Sequence, residues 1–111
     1  MRHHLGELEH IVLLAVLRLS GEAYGVTMRD EIHRLTGRSI SPGTIYPTLD
    51  RLERKGYVRS LTGDPRPERG GRSRRLYEIR PEGLAALRAS HRMLRALGSG
   101  LEAVLSEPEE P

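Results

Sequence analysis

The chain has 111 residues, with 18 Lys and Arg against 15 Asp and Glu, a net charge of +3 and no cysteine. Lack of cysteine excludes a disulfide framework, a thiolate metal site and a zinc finger, and the length allows one domain, or one small domain with an added helix. The N-terminal residues carry no apolar run of the signal-peptide kind and no stretch is apolar enough to span a bilayer, so a cytoplasmic protein without membrane contact is expected.

A core this small leaves stability marginal, and oligomerisation is the expected remedy. Of the 18 basic residues 17 are Arg, Lys55 being the single Lys. Guanidinium groups fork onto phosphate and guanine in a way that ammonium groups do not. A genome rich in Arg codons explains the same bias, so the positions of the arginines have to carry the argument.

In chain order, residues 5–19 form the most apolar segment and read as a helix. Leu8, Ile11, Val12, Ala15 and Leu19 share one face; Leu13, Val16 and Leu17 make a second, with Leu14 between. One stripe suffices for a surface helix, so the second face is expected to meet a partner subunit through Leu13, Val16 and Leu17, the other reading being a central core helix. Residues 20–23 turn. A second helix over 24–35 sets Tyr24, Met28, Ile32 and Leu35 on one side, and Gly37 fits the position just past its end. Residues 38–40, with Arg38 and Ser39, connect it to the next helix.

Residues 41–55 form the recognition segment. Ile45, Leu49 and Leu52 fall at i, i+4 and i+7 and should be buried. Thr44, Tyr46, Pro47, Thr48, Arg51 and Arg54 occupy the rest of the cylinder, a set suited to phosphates and base edges. Ser41 followed by Pro42 is a good helix start, but Pro47 then falls past the first turn. An irregular start is expected, with regular helix from about Thr44 and an end at Gly56. Asp50 and Arg54, at i and i+4, are expected to pair, which draws the groove-facing set towards Gly43–Arg51. Two helices joined by a short turn make a helix-turn-helix.

Residues 57–61 and 75–79 read as strands of a hairpin. Its tip, residues 62–74, holds Arg66, Arg69, Arg72 and Arg74, with Arg75 just beyond, against Asp64 and Glu68. This is the wing of a winged helix, suited to backbone and minor-groove contact. Arg69 and Arg72 flank Gly70 and Gly71, which let backbone approach DNA. Residues 81–105 read as a last helix. Leu84, Leu87, His91, Leu94, Gly98, Leu101 and Leu105 repeat like a coiled-coil seam, with a weak point at residues 98–100. The tail, 107–111, is expected to be disordered.

These stretches resemble the short form of the PadR family of bacterial transcriptional regulators. LGELEHIVLLAVL resembles its first helix, AYGVTMRDEI its second, SPGTIYPTLDRLERKGYV its recognition helix, and GGRSRRLYEIRPEGLAAL its wing and last helix. The resemblance implies a winged-helix homodimer on a palindromic operator, usually a repressor, with Gly43, Thr44, Tyr46 and Pro47 near the DNA backbone. Arg80 departs from the family, which has Thr as the cap before the last helix. The family's drug-stacking aromatic in that helix is absent too, since the chain lacks Trp and Phe and has no Tyr beyond Tyr77.

The expected fold is therefore mainly α with a small β-hairpin wing: a winged helix-turn-helix over 1–80 and a dimerisation helix over 81–106. Expected DNA contacts are Arg38, Ser39, Ser41, Gly43, Thr44, Tyr46, Pro47, Thr48, Arg51, Arg69, Gly71, Arg72 and Arg74. Expected dimer contacts are Leu13, Val16, Leu17, Leu84, Leu87, His91, Leu94, Leu101 and Leu105. The partners are double-stranded DNA and a second copy, with any small-molecule effector unknown. Alternatives are a winged helix for protein–protein contact and a ligand-sensing binder with a cavity at the dimer interface. His3, His4, His10, His33 and His91 lack metal-ligand spacing, so no metal or cofactor is expected, and no catalytic motif is present.

Overall fold

A computed structural model describes residues 4–65, 73–106 and 108. The first helix, α1 (Glu7–Arg18), has Glu7 and Glu9 in its first turn and Arg18 in its last, matching the helix dipole. It packs on α2 (Gly25–Thr36), α3 (Pro42–Arg54), β2 (Ser73–Ile79) and α4 (Pro81–Gly98). Val12, Leu13, Ala15 and Val16 are all buried against the protomer's own core. Leu13 and Val16 are therefore taken up inside the protomer and are not free to form the expected partner face. Leu14 and Leu17 are the apolar residues of α1 left exposed.

Helix α2 (Gly25–Thr36) starts where Thr27 Oγ1 accepts the Tyr24 N–H at 2.9 Å. It ends at Gly37, whose φ of 77° is the left-handed conformation glycine adopts without a Cβ clash. Met28 and Ile32 are buried, but Leu35, one turn further on, is exposed because the helix has passed the core's edge. Helix α3 (Pro42–Arg54) follows. It begins two residues before the expected regular start: Thr44 and Ile45 N–H both reach the Ser41 carbonyl, at 2.9 and 3.0 Å. Pro42 occupies the first turn without loss, and Pro47 sits inside the helix, forgoing one ladder hydrogen bond on its solvent side. Gly56, at φ 79°, ends it.

Strands β1 (Val58–Pro65) and β2 (Ser73–Ile79) pair antiparallel, with Val58 opposite Ile79 and Ser60 opposite Tyr77. Both run longer towards the tip than expected, with an irregularity between Thr62 and Pro65. Pro65 is tolerated because each strand of a two-stranded sheet is an edge and the register is irregular there. The Tyr77 N–H donates to the Ala23 carbonyl at 2.9 Å, which ties the hairpin to the turn before α2. The core is one cluster in which Val12, Leu13, Met28, Ile45, Leu49, Leu52, Val58 and Tyr77 are sealed from solvent.

Helix α4 (Pro81–Gly98) starts with no side-chain cap from Arg80, as that residue's chemistry implies. Gly83 lets it close onto the hairpin, since a Cβ there would overlap the Tyr57 carbonyl. Ala86 and Leu87 are buried where α4 also packs on α1, so Leu87 is core and not a free seam position. From His91 to Leu97 every residue is exposed: the second half of α4 leaves the domain. The helix breaks after Gly98, with Gly100 at φ 87°, and a short turn, α5 (Glu102–Leu105), follows. The projection stretches the molecule, whose radius of gyration is 15.9 Å, where a compact chain of this length gives about 13 Å. The expected disordered tail falls largely outside the described residues.

Candidate nucleic-acid interface

Helix α3 has one face sealed and one open. Ile45, Leu49 and Leu52 are buried, as the spacing required. Thr48 joins them at 1% exposure, so the expected solvent-facing Thr48 is corrected. Its hydroxyl donates to the Thr44 carbonyl at 2.7 Å and accepts from Arg51 Nη2 at 3.2 Å. Position 48 lies one turn before Leu52, within the stripe that packs on α1 and α2.

Opposite the core, Gly43, Pro47, Asp50 and Arg54 are exposed and fall at i, i+4, i+7 and i+11, a single ridge. Tyr46 and Arg51 flank it on either side, both exposed. Asp50 and Arg54 make no ion pair among the described residues, contrary to the expected i, i+4 contact. Arg54 is the functional candidate that sequence reasoning discounted, and the neighbouring carboxylate was a misleading signal. Tyr46 leans on the start of α2: a Cβ at Gly25 would overlap its hydroxyl. The bare backbone at Gly25 thus sets where the Tyr46 ring stands. Thr44 is half-buried, its Oγ1 3.3 Å from Ser41 Oγ.

Beside the start of α3 lies an open groove of about 470 Å³, lined by Arg29, Asp30, His33, Ser39, Ile40, Ser41 and Pro42. Ser39 and Ser41 are exposed along it. Arg38 is exposed and sits 3.6 Å from Glu7. Of the wing residues, Arg66, Arg69, Gly71 and Arg72 lie outside the described residues; Arg74 is in β2.

The flank of α3 nearest α1 is organised by an acid that sequence reasoning missed. Glu9 is only 6% exposed. Its carboxylate accepts the Gly6 N–H at 2.9 Å and Lys55 Nζ at 2.8 Å, and lies 3.6 Å from Arg51 Nε. The signal was a charge on the buried side of α1, but the partners are distant in sequence. Burial pushes the Glu9 carboxyl up, yet the Lys55 hydrogen bond, the Gly6 N–H and the charges of Lys55 and Arg51 outweigh it, and the pKa ends below the ordinary value. A lowered carboxyl stabilises the fold above its unfolded pKa and loses that contribution as pH falls through the folded one. Glu9→Gln is therefore expected to cost about 2 kcal/mol in urea unfolding at neutral pH. The gap from the wild type should close in acid, below about pH 4.

The described residues contain no group of three or more metal-ligating side chains. Nor is any described helix long and apolar enough to cross a membrane.

The model of the PadR-like transcriptional regulator family matches residues 13–89, the span from the middle of α1 into α4. The chain belongs to this family. PadR-like proteins are transcriptional regulators, not enzymes. A relative, transcriptional regulator Rv3488 of Mycobacterium tuberculosis, is 42% identical over 76 residues, which cover 68% of this chain and 66% of that protein. The match thus spans just under two thirds of that relative. A PadR family regulator from Eggerthella lenta superposes with a TM-score of 0.67 at 28% identity, covering 88% of this chain and 83% of its own. A PadR-like transcription factor from Bacteroides fragilis superposes with a TM-score of 0.70 at 20% identity, covering 87% and 88%. At that identity the likeness speaks for the fold: a winged helix-turn-helix followed by a C-terminal helix, as expected from the sequence.

Proposed function

We propose that this PadR-like chain binds a palindromic DNA operator as a homodimer in the cytoplasm and acts as a repressor. The observation that carries this reading is α3, sealed on one side and open along Gly43, Pro47, Asp50 and Arg54 on the other. Family membership supports it. In this reading the ridge enters the major groove, with Tyr46 and Arg51 at its margins, and Ser39, Ser41 and Arg38 follow the phosphates beside it. The wing arginines, Arg69, Arg72 and Arg74, reach the adjacent groove. Two copies of α3 sit about 34–36 Å apart, one helical turn of DNA. A dimer clamped over two successive grooves blocks other proteins from that DNA, which is why repression is the simplest sign.

The second copy is held through the apolar surface that the protomer leaves open: Leu14 and Leu17 on α1, then Met93, Leu94, Leu97, Leu101 and Leu105 along the C-terminal segment. Leu84 and His91 sit at the margin of this surface.

The test is fluorescence anisotropy on the DNA upstream of the coding region and on a shuffled duplex, across a salt series. Phosphate contacts make log K fall with log salt by about 0.9 per neutralised phosphate. Arg54→Ala is expected to weaken the preferred duplex by about 1–3 kcal/mol. A flat salt response with no preference between duplexes would favour a winged helix used for protein–protein contact.

A further inference from the structure

The Arg51 guanidinium is already half used inside the protein. Its Nε lies 3.6 Å from Glu9 Oε2, and its Nη2 donates to Thr48 Oγ1 at 3.2 Å. The Nε–H and one Nη2–H point along the same edge of the planar group, so Glu9 and Thr48 together occupy that edge. Both are anchored. Glu9 is buried and fixed by the Gly6 N–H and Lys55, and Thr48 is buried with its own proton committed to the Thr44 carbonyl. A hydroxyl that gives its proton to a carbonyl can only accept from Arg51, so the polarity of the chain of contacts is set. What remains is the end-on edge, formed by Nη1 and the second Nη2–H. Arg51 itself is about half exposed, and no contact to that edge is found among the described residues.

We propose that Glu9 and Thr48 are positioning residues that determine specificity: they lock Arg51 so that only its end-on fork can meet DNA, against the N7 and O6 acceptors of a guanine. A free arginine side chain samples many rotamers and meets phosphates and bases alike, whereas a fork held along its other edge by two partners presents one geometry. Guanine's paired acceptors match that fork, and an isolated phosphate does not require it. This inference rests on the DNA-binding reading above.

The test uses the full chain and the duplex it selects from a randomised pool, with a shuffled duplex as control. Thr48→Val keeps the volume and removes the acceptor. It is expected to weaken the selected duplex about five- to tenfold, with shuffled DNA and the salt slope unchanged. Thr48→Ser restores the affinity. In an Arg51→Ala background Thr48→Val then has no further effect, since coupled residues do not add. Should Thr48→Val unfold the chain, Glu9→Gln carries the same test from the other side of the fork. Equal losses on both duplexes, or a loss that persists without Arg51, would overturn the positioning role and leave the DNA-binding reading intact. A wild type with no preference between the duplexes overturns that reading itself.

Discussion

Leu94→Asp combined with Leu97→Asp is expected to yield a monomer whose affinity for the operator falls by about 10²- to 10⁴-fold. Both residues stand on the free half of α4, at 54% and 70% exposure, far above what a core leucine shows. Met93, Leu101, Val104 and Leu105, on the same free segment, are exposed as well. Exposed apolar side chains grouped in this way mark a contact. Two carboxylates in the middle of that contact would be buried unpaired, and the desolvation cost opposes assembly. The protomer's own core does not touch these side chains, so its unfolding midpoint should hold. The loss on DNA follows from valency: once one half-site is bound, the second is reached at a high effective concentration, and a monomer forfeits that gain. Sedimentation velocity with anisotropy on the same samples checks both halves. A double variant that remains dimeric would show that the subunits meet elsewhere.

Tyr77→Ala is expected to destabilise the fold by about 3–5 kcal/mol, as truncations of buried aromatic residues do. Domains of this size hold about 5–15 kcal/mol in total, so the variant loses a large share of its stability. Tyr77 is the largest of the fully buried side chains, at 1% exposure, and its backbone N–H holds Ala23. It joins the hairpin to the helices, so the cavity opens where the wing meets the core. Tyr77→Phe should recover most of the loss, because the ring supplies the packing. Burial also pushes the Tyr77 hydroxyl above its ordinary pKa, since ionisation inside the core is penalised. The sign is destabilisation in alkali: the unfolded chain ionises near pH 10 while the folded one resists. Urea unfolding of the two variants at neutral pH, and of the wild type into alkali, measures these effects.

The recognition helix shows how local and distant information divide. Ile45, Leu49 and Leu52 were legible as core because a period of 3.6 aligns them without knowledge of any partner. Gly37 and Gly56 were legible as helix ends because left-handed φ is a local demand, and the hairpin and its order after the helices followed from turn residues and strand alternation. Thr48 was misplaced because a hydroxyl does not announce whether it faces water or a backbone carbonyl one turn away. Arg54 was discounted for the reverse reason: the spacing allowed a pair with Asp50 that the side chains do not make.

The sequence by itself determined the element order, the apolar stripes, the helix ends and the winged-helix class, all of which depend on residues within a few positions of one another. Tertiary structure alone decided that Leu13 and Val16 of α1 are buried in the protomer's own core while Leu14 and Leu17 stay exposed. It also decided that α4 divides at Leu87 into a docked half and a free half, and that Glu9 meets Lys55 and Arg51 across the α1–α3 contact. Burial is a property of the whole packing: a leucine on α1 and a leucine on α4 look alike in sequence, and only the neighbours brought by the fold tell which one still has a face to offer.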